Sequence, residues 1–383
     1  MRRIRLCSIQ PVAERGGSDQ ALLRMLRMLP PADFECHVVV PAEPPLRAAF
    51  EAAGVAIHIV PMRRISRSHR LLDWVAYALA WPVTVVRLAQ LFRRFDVDVV
   101  HTNSFHSWYG WAAAALARRP HLWHGREIVV QSRAALRLER FLIPRFSTRV
   151  LSMSHAIADQ LEGVDVTVVH ETADPSEFHP EQAGAFRPRV GIRDDVLLVG
   201  AAGRVDSWKG LDVLLDAFRR VRATRDDVEL VVAGGAVRGK EALYDRLEGD
   251  AHAIPGTHWV GPRDDIGDLL ADLDVFVLPS TEPEPYGLVL VEALMSGARV
   301  VATDAGGPPE ILDEAEPHSG QLVPVRDPAA MAQAILTELA AIRDTSAARR
   351  AARHPRRRPE PERFAAIFRS AASSARVTGP SVR

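Results

Sequence analysis

The chain has 383 residues, 47% hydrophobic and 25% charged, and its 48 basic and 48 acidic residues cancel to a formal net charge of zero. That length exceeds what one core commonly holds, so two domains are expected, and the even charge leaves no global field to collect nucleic acid or an acidic partner. Cys7 and Cys36 are the only cysteines and both sit in strand-like stretches, so no disulfide framework is needed and a reducing cytoplasm is the expected setting.

Met1-Arg2-Arg3-Ile4-Arg5-Leu6 begins charged, but Gln10, Glu14 and Arg15 interrupt the apolar run before a signal-peptide core could form. Residues 4–9 therefore read as a first strand, and the loop 11–18 delivers Gly16-Gly17 to the front of a helix at 19–29. By spacing alone the glycine pair is either a flexible turn or a ligand loop. No Gly-x-Gly-x-x-Gly fingerprint is present there, which disfavours a nicotinamide cofactor. Strand-like runs recur at 36–40, 55–60, 97–101, 121–123, 149–153 and 166–169 with helical stretches between them, the alternation of a doubly wound parallel sheet.

The stretch 71–92 is apolar and aromatic (Trp74, Tyr77, Trp81) and follows the basic run at 63–70. Asp73 and Arg87, with Pro82 between them, leave fewer than the about 20 apolar residues a span needs. Two readings stay open: a helical crossover buried on the sheet, or a basic, aromatic surface resting on anionic lipid. His101-Thr102-Asn103-Ser104 and His124-Gly125-Arg126-Glu127 each fall at the end of a strand, on the side where such sheets bind ligands. A histidine there is more often structural or solvated than functional, and Arg126 and Glu127 either meet an acceptor or pair with each other.

Pro175, Pro180 and Pro188 among polar residues mark a linker at 173–190, dividing a first domain, 1–172, from a second, 191–350. The second opens with a strand at 196–201, then Gly203-Arg204-Val205-Asp206-Ser207-Trp208-Lys209-Gly210 before a helix at 211–222. One arginine and one lysine at a helix start suit a pyrophosphate, although two charges alone are also a solvated basic loop. Further strand ends come at Gly234-Gly235 and at His258-Trp259-Val260-Gly261. Asp96-Val97-Asp98 and Asp272-Leu273-Asp274 have the spacing of metal-holding aspartates, but they lie at the amino ends of strands and read as solvated turn residues, so no metal is expected.

The most informative stretch follows the apolar strand 274–278. Pro279-Ser280-Thr281-Glu282-Pro283-Glu284-Pro285-Tyr286-Gly287-Leu288-Val289-Leu290-Val291-Glu292 sets two carboxylates, Glu284 and Glu292, on either side of a helix start beyond the carboxyl end of a strand. Gly287 permits close approach, and the free amides of the first turn would face an anion. After a helix at 328–342 the basic run 349–358 reads as a solvated face or loop, and residues 364–372 read as a last helix within 351–383.

Glu284-x7-Glu292 within Glu-Pro-Tyr-Gly-Leu-Val, followed by Ala302-Thr303-Asp304-Ala305-Gly306-Gly307 and Pro309-Glu310, resembles the signature of retaining glycosyltransferase family four, the group 1 glycosyl transferases. The resemblance implies a GT-B fold, with two Rossmann-like α/β domains facing across a cleft, and a C-terminal helix returning to the first. It implies a nucleotide-diphosphate sugar as donor, no metal and no cofactor. Gly203-Arg204 and Lys209-Gly210 fall on the family's phosphate loop, with Arg204 and Lys209 on its two cations. It further implies that Glu292 accepts from the ribose hydroxyls, that Glu284 holds the transferred sugar, and that the backbone of Tyr286, Gly287, Leu288 and Val289 lies along the donor. Val260 and Gly261 would border the base, Gly16 and Gly17 the donor phosphate, and His124 the transferred sugar. The sequence departs from the family after Gly17 and at His170-Glu171-Thr172-Ala173-Asp174, where only the aspartate is kept.

The function expected is transfer of a sugar to a hydroxyl of a glycolipid, polysaccharide or small molecule, in the cytoplasm or at the inner face of its membrane. A nucleotide-sugar epimerase or hydrolase on the same scaffold, and a non-catalytic nucleotide-sugar-binding protein, are the alternatives. No nucleic acid is expected as a partner.

Overall fold

The computed structural model describes residues 2–13, 16–63, 71–128, 133–342 and 362–377, so the basic runs at 64–70 and 349–358 lie outside the described residues. The chain divides into two compact units, residues 1–171 with 360–383, and residues 172–359.

The first unit is built on seven parallel strands in the order β3-β2-β1-β4-β5-β6-β7. They are β1 (Ile4–Ile9), β2 (Phe34–Val40), β3 (Ala56–Ile59), β4 (Val99–Thr102), β5 (His121–Gly125), β6 (Arg149–Ser152) and β7 (Val166–Val168). From β1 the chain winds one way through α1 (Gly17–Met28) and α2 (Arg47–Ala52). It then returns through α3 (Leu71–Arg94) to β4 and winds the other way through α4 (Gly110–Ala117), α5 (Arg133–Phe146) and α6 (His155–Ala158). Right-handed crossovers make that reversal put α1 and α2 on one face and α3 to α5 on the other.

Alternation along the strands agrees with this layering. Leu6 packs with Leu22 and Leu26 of α1 and with Phe364 and Phe368 of the C-terminal helix, Glu362–Val377. Cys7 and Ile9 turn to the opposite core with Val85, Leu88 and Phe92 of α3 and Ala113 of α4. Helix α3 is thus a crossover docked on the sheet by one face. By length and composition its stretch Val75–Arg94 would suffice to cross a membrane, but a third of it is buried within the protein.

The second unit has six parallel strands in the order β10-β9-β8-β11-β12-β13. Its chain runs α7 (Arg187–Val190), β8 (Leu197–Ala202), α8 (Leu211–Thr224), β9 (Val228–Ala233), α9 (Glu241–His252), β10 (Thr257–Gly261), α10 (Ile266–Asp272) and β11 (Val275–Leu278). It continues through α11 (Leu288–Met295), β12 (Arg299–Thr303), α12 (Pro308–Asp313), β13 (Gly320–Val323) and α13 (Pro328–Ala340). Both units are the doubly wound α/β sheets that the alternation of runs predicts. Each reverses direction beside its first strand, between β1 and β4 and between β8 and β11, where open sheets leave a crevice at the carboxyl ends.

Two expectations are corrected here. Asp272 and Asp274 are wholly buried rather than solvated. The Asp272 carboxylate accepts from the backbone N–H groups of Gly184 (2.6 Å), Phe186 (2.9 Å) and Arg187 (3.1 Å). Asp274 accepts from Leu198 N (2.9 Å) and from Arg187 Nη2 (3.2 Å). Arg187, itself fully buried, also donates through Nη1 and Nη2 to the carbonyls of Arg193, Val196 and Asp272. Much of the stretch expected as linker is therefore sewn to the amino edge of the second sheet, since a buried carboxylate persists only where cations and amides surround it. Asp96 stays half-exposed, paired with Arg2, Arg5 and Arg119.

Candidate active site

In the second unit the chain leaving β8 runs beside the chain leaving β9. Gly203 N donates to Ala233 O and Val205 N to Gly235 O, both at 2.9 Å. A Cβ at Gly234 would sit 1.8 Å from the Gly203 oxygen, so only glycine lets the two segments lie this close. Arg204 projects from this pinned segment into solvent, with no hydrogen bond or ion pair among the described residues. The acid of the same loop, Asp206, is occupied by Lys240 and by Ser207 Oγ at 3.2 Å.

A 3-10 turn, Ser207–Lys209, then ends at Gly210 with φ 67°, and a Cβ there would lie 1.9 Å from the Pro279 oxygen. Glycine is required twice over, and the result is that Lys209 stands against the loop following β11. The Trp208 carbonyl accepts from Thr281 N (2.8 Å) and Thr281 Oγ1 (3.2 Å), stitching the two loops together. Lys209 Nζ lies 2.7 Å from Glu284 Oε2 and 4.1 Å from the centre of the Trp208 ring. The same carboxylate oxygen accepts from the buried Ser280 Oγ at 2.8 Å, and the Ser280 carbonyl is held by Thr303 Oγ1 at 2.9 Å.

The glycines after β12 explain themselves at this point. Glu284 N donates to Ala305 O (3.0 Å) and Gly307 N donates to Glu284 O (2.8 Å), so residues 305–307 clamp the Glu284 backbone from both sides. Gly306 has φ 88°, and a Cβ on it would fall 2.0 Å from the Glu284 oxygen. Gly287, φ 101°, caps the start of α11 and leaves the amides of Leu288 and Val289 at its first turn without helical acceptors. Glu292 lies one turn further in, buried.

Thus Lys209, Ser280 and Glu284 form one hydrogen-bonded cluster. The Tyr286 side chain is fully buried, so it offers no side-chain group to a ligand. Gly261 ends β10 with φ 66°, its carbonyl accepting from Gly234 N at 2.8 Å, and Val260 is half-buried beside it. Ser280 and Trp208 are the positioning residues that motif reading passed over. The four-residue step from Ser280 to Glu284 was the available signal.

In the first unit Gly16 is the extended N-cap of α1, and Gly17 is its first residue, two positions before the predicted helix start. A Cβ at Gly17 would meet nothing within 4 Å, and one at Gly16 only Asp19 Oδ2 at 3.8 Å. The fold does not demand glycine here; what the pair provides is a bare helix start at the carboxyl edge of the sheet. Behind it lies a buried polar chain. Asn103 Nδ2 donates to Gln10 Oε1 (2.7 Å), Gln10 Nε2 to Ser18 Oγ (3.2 Å), and Arg126 Nε to Asn103 Oδ1.

Arg126 Nη2 lies 2.7 Å from Glu171, which settles its pairing. The Glu127 side chain instead accepts from Ser104 Oγ and from the Phe105 and Arg126 amides.

His124 is the main correction. It is fully buried, and its ring lies against Phe364 of the C-terminal helix, 5.9 Å between centroids. Its Nδ1 shares a hydrogen bond with His101 Nε2 (3.2 Å), and His101 Nδ1 shares one with Ser8 Oγ (3.1 Å). Burial, reinforced by the nearby Arg126 charge, holds both histidines well below their usual pKa and therefore neutral. His124 shares a strand face with Leu122, and the helix covers that face. Its Nε2 is likewise buried and makes no hydrogen bond among the described residues.

Comparison with known proteins agrees with this architecture. Residues 16–166 match the glycosyl transferase 4-like domain, and residues 195–341 match the glycosyl transferases group 1 model. The chain is 29% identical over 330 residues to a GDP-mannose-dependent alpha-mannosyltransferase of Mycobacterium tuberculosis (strain CDC 1551 / Oshkosh), covering 81% of this chain and 80% of that one. It is 27% identical over 362 residues to a D-inositol 3-phosphate glycosyltransferase of Stackebrandtia nassauensis, covering 84% and 78%. The crystal structure of Anabaena HepE in complex with UDP and glucose shares the fold with a TM-score of 0.76 at 22% identity, over 97% of this chain and 99% of that one. With both family models matched in order and both sheets in place, the chain belongs to the group 1 glycosyl transferases and has the GT-B fold.

Proposed function

We propose that the protein is a retaining glycosyltransferase that moves a sugar from a nucleotide-diphosphate sugar to a hydroxyl of a glycolipid, polysaccharide or small-molecule acceptor at the cytoplasmic side of a membrane. The observation that carries this reading is the cluster in the second unit: Lys209 on Glu284, Glu284 fixed by Ser280, and Arg204 exposed on a segment pinned on both sides by backbone hydrogen bonds.

Breaking the anomeric bond of such a donor puts negative charge on the diphosphate and positive character on the sugar ring. Preorganised cations and amides at the diphosphate are where transition-state stabilisation is largest. Arg204 offers a planar fork to two oxygens, Lys209 a point charge, and Leu288 and Val289 their amides. Glu284, backed by Ser280, accepts from hydroxyls of the transferred sugar, and Glu292 from the ribose hydroxyls. Lys209 lies on Glu284, so an incoming diphosphate competes for the ammonium and frees the carboxylate for the sugar. The cations and amides named account for leaving-group stabilisation with no metal assigned to any step.

The name of the mycobacterial relative points to GDP-mannose as the first donor to test. Incubation with a panel of nucleotide sugars, with and without lipid and sugar acceptors, decides the reading. Acceptor-dependent release of nucleoside diphosphate with retained anomeric configuration is expected. Acceptor-independent conversion of the donor would make the protein an epimerase or hydrolase, and binding without turnover would make it a nucleotide-sugar-binding protein.

A further inference from the structure

Helices α3, α4 and α5 form one layer over the first sheet, and their outer surface carries most of the exposed large apolar side chains among the described residues. On α3 these are Val75, Leu79, Val83 and Val86, spaced four, four and three residues apart, which is a single helical face. Leu79 is 71% exposed. Leu116 follows on α4, and Leu138, Phe141 and Phe146 on α5. The opposite face of α3 is spoken for by Tyr77, Val85, Leu88 and Phe92 in the core, while the outer stripe stays exposed among the described residues.

The charge around this apolar surface is mainly basic, with Asp96 taken up by Arg119. No acidic residue lies between Glu51 and Asp73, or between Asp73 and Asp96, whereas Arg63, Arg87, Arg93 and Arg94 fall in those intervals, and Arg93 reaches the Leu116 carbonyl of α4. Helix α4 has no charged residue and is followed by Arg118-Arg119. Helix α5 carries exposed Arg137 and Arg145, and its one acid, Glu139, is buried on His106 Nδ1 at 2.9 Å. An apolar face ringed by arginines complements an anionic lipid surface. A protein partner of ordinary mixed charge would leave the arginines unanswered.

A second, independent feature sharpens the match. A notch of about 260 Å³ between α4 and the end of α5 is lined by Trp111, Arg119, Arg145, Phe146, Ser147 and Thr148, among others. Trp111 Nε1, Arg119 Nε and Ser147 Oγ are buried and make no hydrogen bond among the described residues. Nε–H groups of tryptophan and arginine only donate, and a serine hydroxyl readily donates, so the three together call for a ligand rich in acceptors. The notch opens at the amino ends of β5 and β6, the edge of the sheet opposite Gly16-Gly17, so a donor phosphate does not account for it.

We propose that the outer face of α3 to α5 is a docking surface for an anionic lipid membrane, with the apolar stripe entering the interface and the notch taking the phosphate of one lipid headgroup. The surface belongs to the first unit and shares no residue with the Lys209–Ser280–Glu284 cluster of the second, so vesicle association is measured without donor, and its failure leaves the transfer reading standing.

The test is flotation of the full chain with phosphatidylcholine vesicles containing or lacking phosphatidylglycerol, at low and raised salt. Association with the anionic vesicles, falling with salt and at least about tenfold weaker on neutral ones, is expected. Leu79→Glu with Val83→Glu should abolish it. Trp111→Phe with Ser147→Ala, which keeps the ring but removes two donors, should weaken it severalfold on anionic vesicles alone. Circular dichroism and the thermal shift caused by a nucleoside diphosphate confirm that both variants fold. No association at low salt overturns the proposal, as does association that the two glutamates leave unchanged. A self-associated protein that those glutamates make monomeric, with no vesicle binding, would assign the face to a second copy instead. Inorganic phosphate that competes fully on both vesicle types would assign the notch to a free anion.

Discussion

Lys209→Ala tests the centre of the candidate site, because two distinct consequences follow from one contact. The 2.7 Å pair with Glu284 joins side chains that are only 19% and 9% exposed. At an effective dielectric constant of about 20, attraction at that separation is about 6 kcal/mol before desolvation. Desolvating both ions and ordering the lysine offset much of this, but deleting the cation leaves Glu284 in a largely buried site with Ser280 as its remaining side-chain donor. Stranding a buried charge costs about 3–5 kcal/mol. With one hydrogen bond retained and a little solvent access, about 2–3 kcal/mol is expected here. Lys209→Ala with Glu284→Gln removes the stranded charge and should recover most of that loss in equilibrium denaturation. Turnover behaves differently: the single variant should fall about 100- to 1,000-fold, and the double variant should not recover it, since the lost contact is to the diphosphate. Two outcomes refute the reasoning: a single variant that transfers sugar at near-normal rate, or a double variant no more stable than the single.

Gly306→Ala forces a left-handed φ of 88° on a residue with a Cβ placed 2.0 Å from the Glu284 oxygen, so the 305–307 clamp must open. Stability should drop by more than about 1–3 kcal/mol, with turnover lost in the remaining folded protein. In the first unit His101 and His124 are held neutral by burial, and burial pushes His121 down to about 3. The unfolded chain, with histidines near 6.5, binds protons that the folded chain refuses. Stability is therefore fully present above about pH 6.5 and falls on acidification, by up to about 1.4 kcal/mol per pH unit for each histidine. Denaturation at a series of pH values should show His124→Leu with a shallower acid limb and turnover within a few-fold of wild type; collapse of turnover with the fold intact would return His124 to the chemistry. Asp272→Asn removes the charge that Arg187 and three backbone amides surround, and should destabilise the second unit by about 3–5 kcal/mol while leaving nucleotide affinity in the folded fraction unchanged.

What the sequence disclosed and what it hid divide along the range of the interactions involved. The alternating runs foretold both sheets because a strand buried on two faces is written in consecutive residues. The donor-side loops were legible because their glycines answer steric demands made by a few partners recurring in a fixed motif, as Gly210 does to Pro279 and Gly306 to Glu284. The burial of His124 was hidden for the opposite reason. A strand-end histidine points to one of two faces, and what covers its face is Phe364, some 240 positions onward in a helix whose docking no local pattern states. Parity offered a partial warning, since His124 lies in phase with Leu122 of the core. Asp272 and Asp274 were taken for surface residues because a carboxylate looks solvated until its cation is found, and theirs is Arg187, more than eighty residues earlier in a proline-rich stretch that resembled a linker. The same logic locates Ser280: its hydroxyl matters through the carboxylate it steadies, and that carboxylate is positioned from behind by residues 305–307. Roles exerted through a neighbour emerge only when the neighbour's own supports are traced, so the reacting groups are the most legible part of such a site, and the residues that aim them are the least.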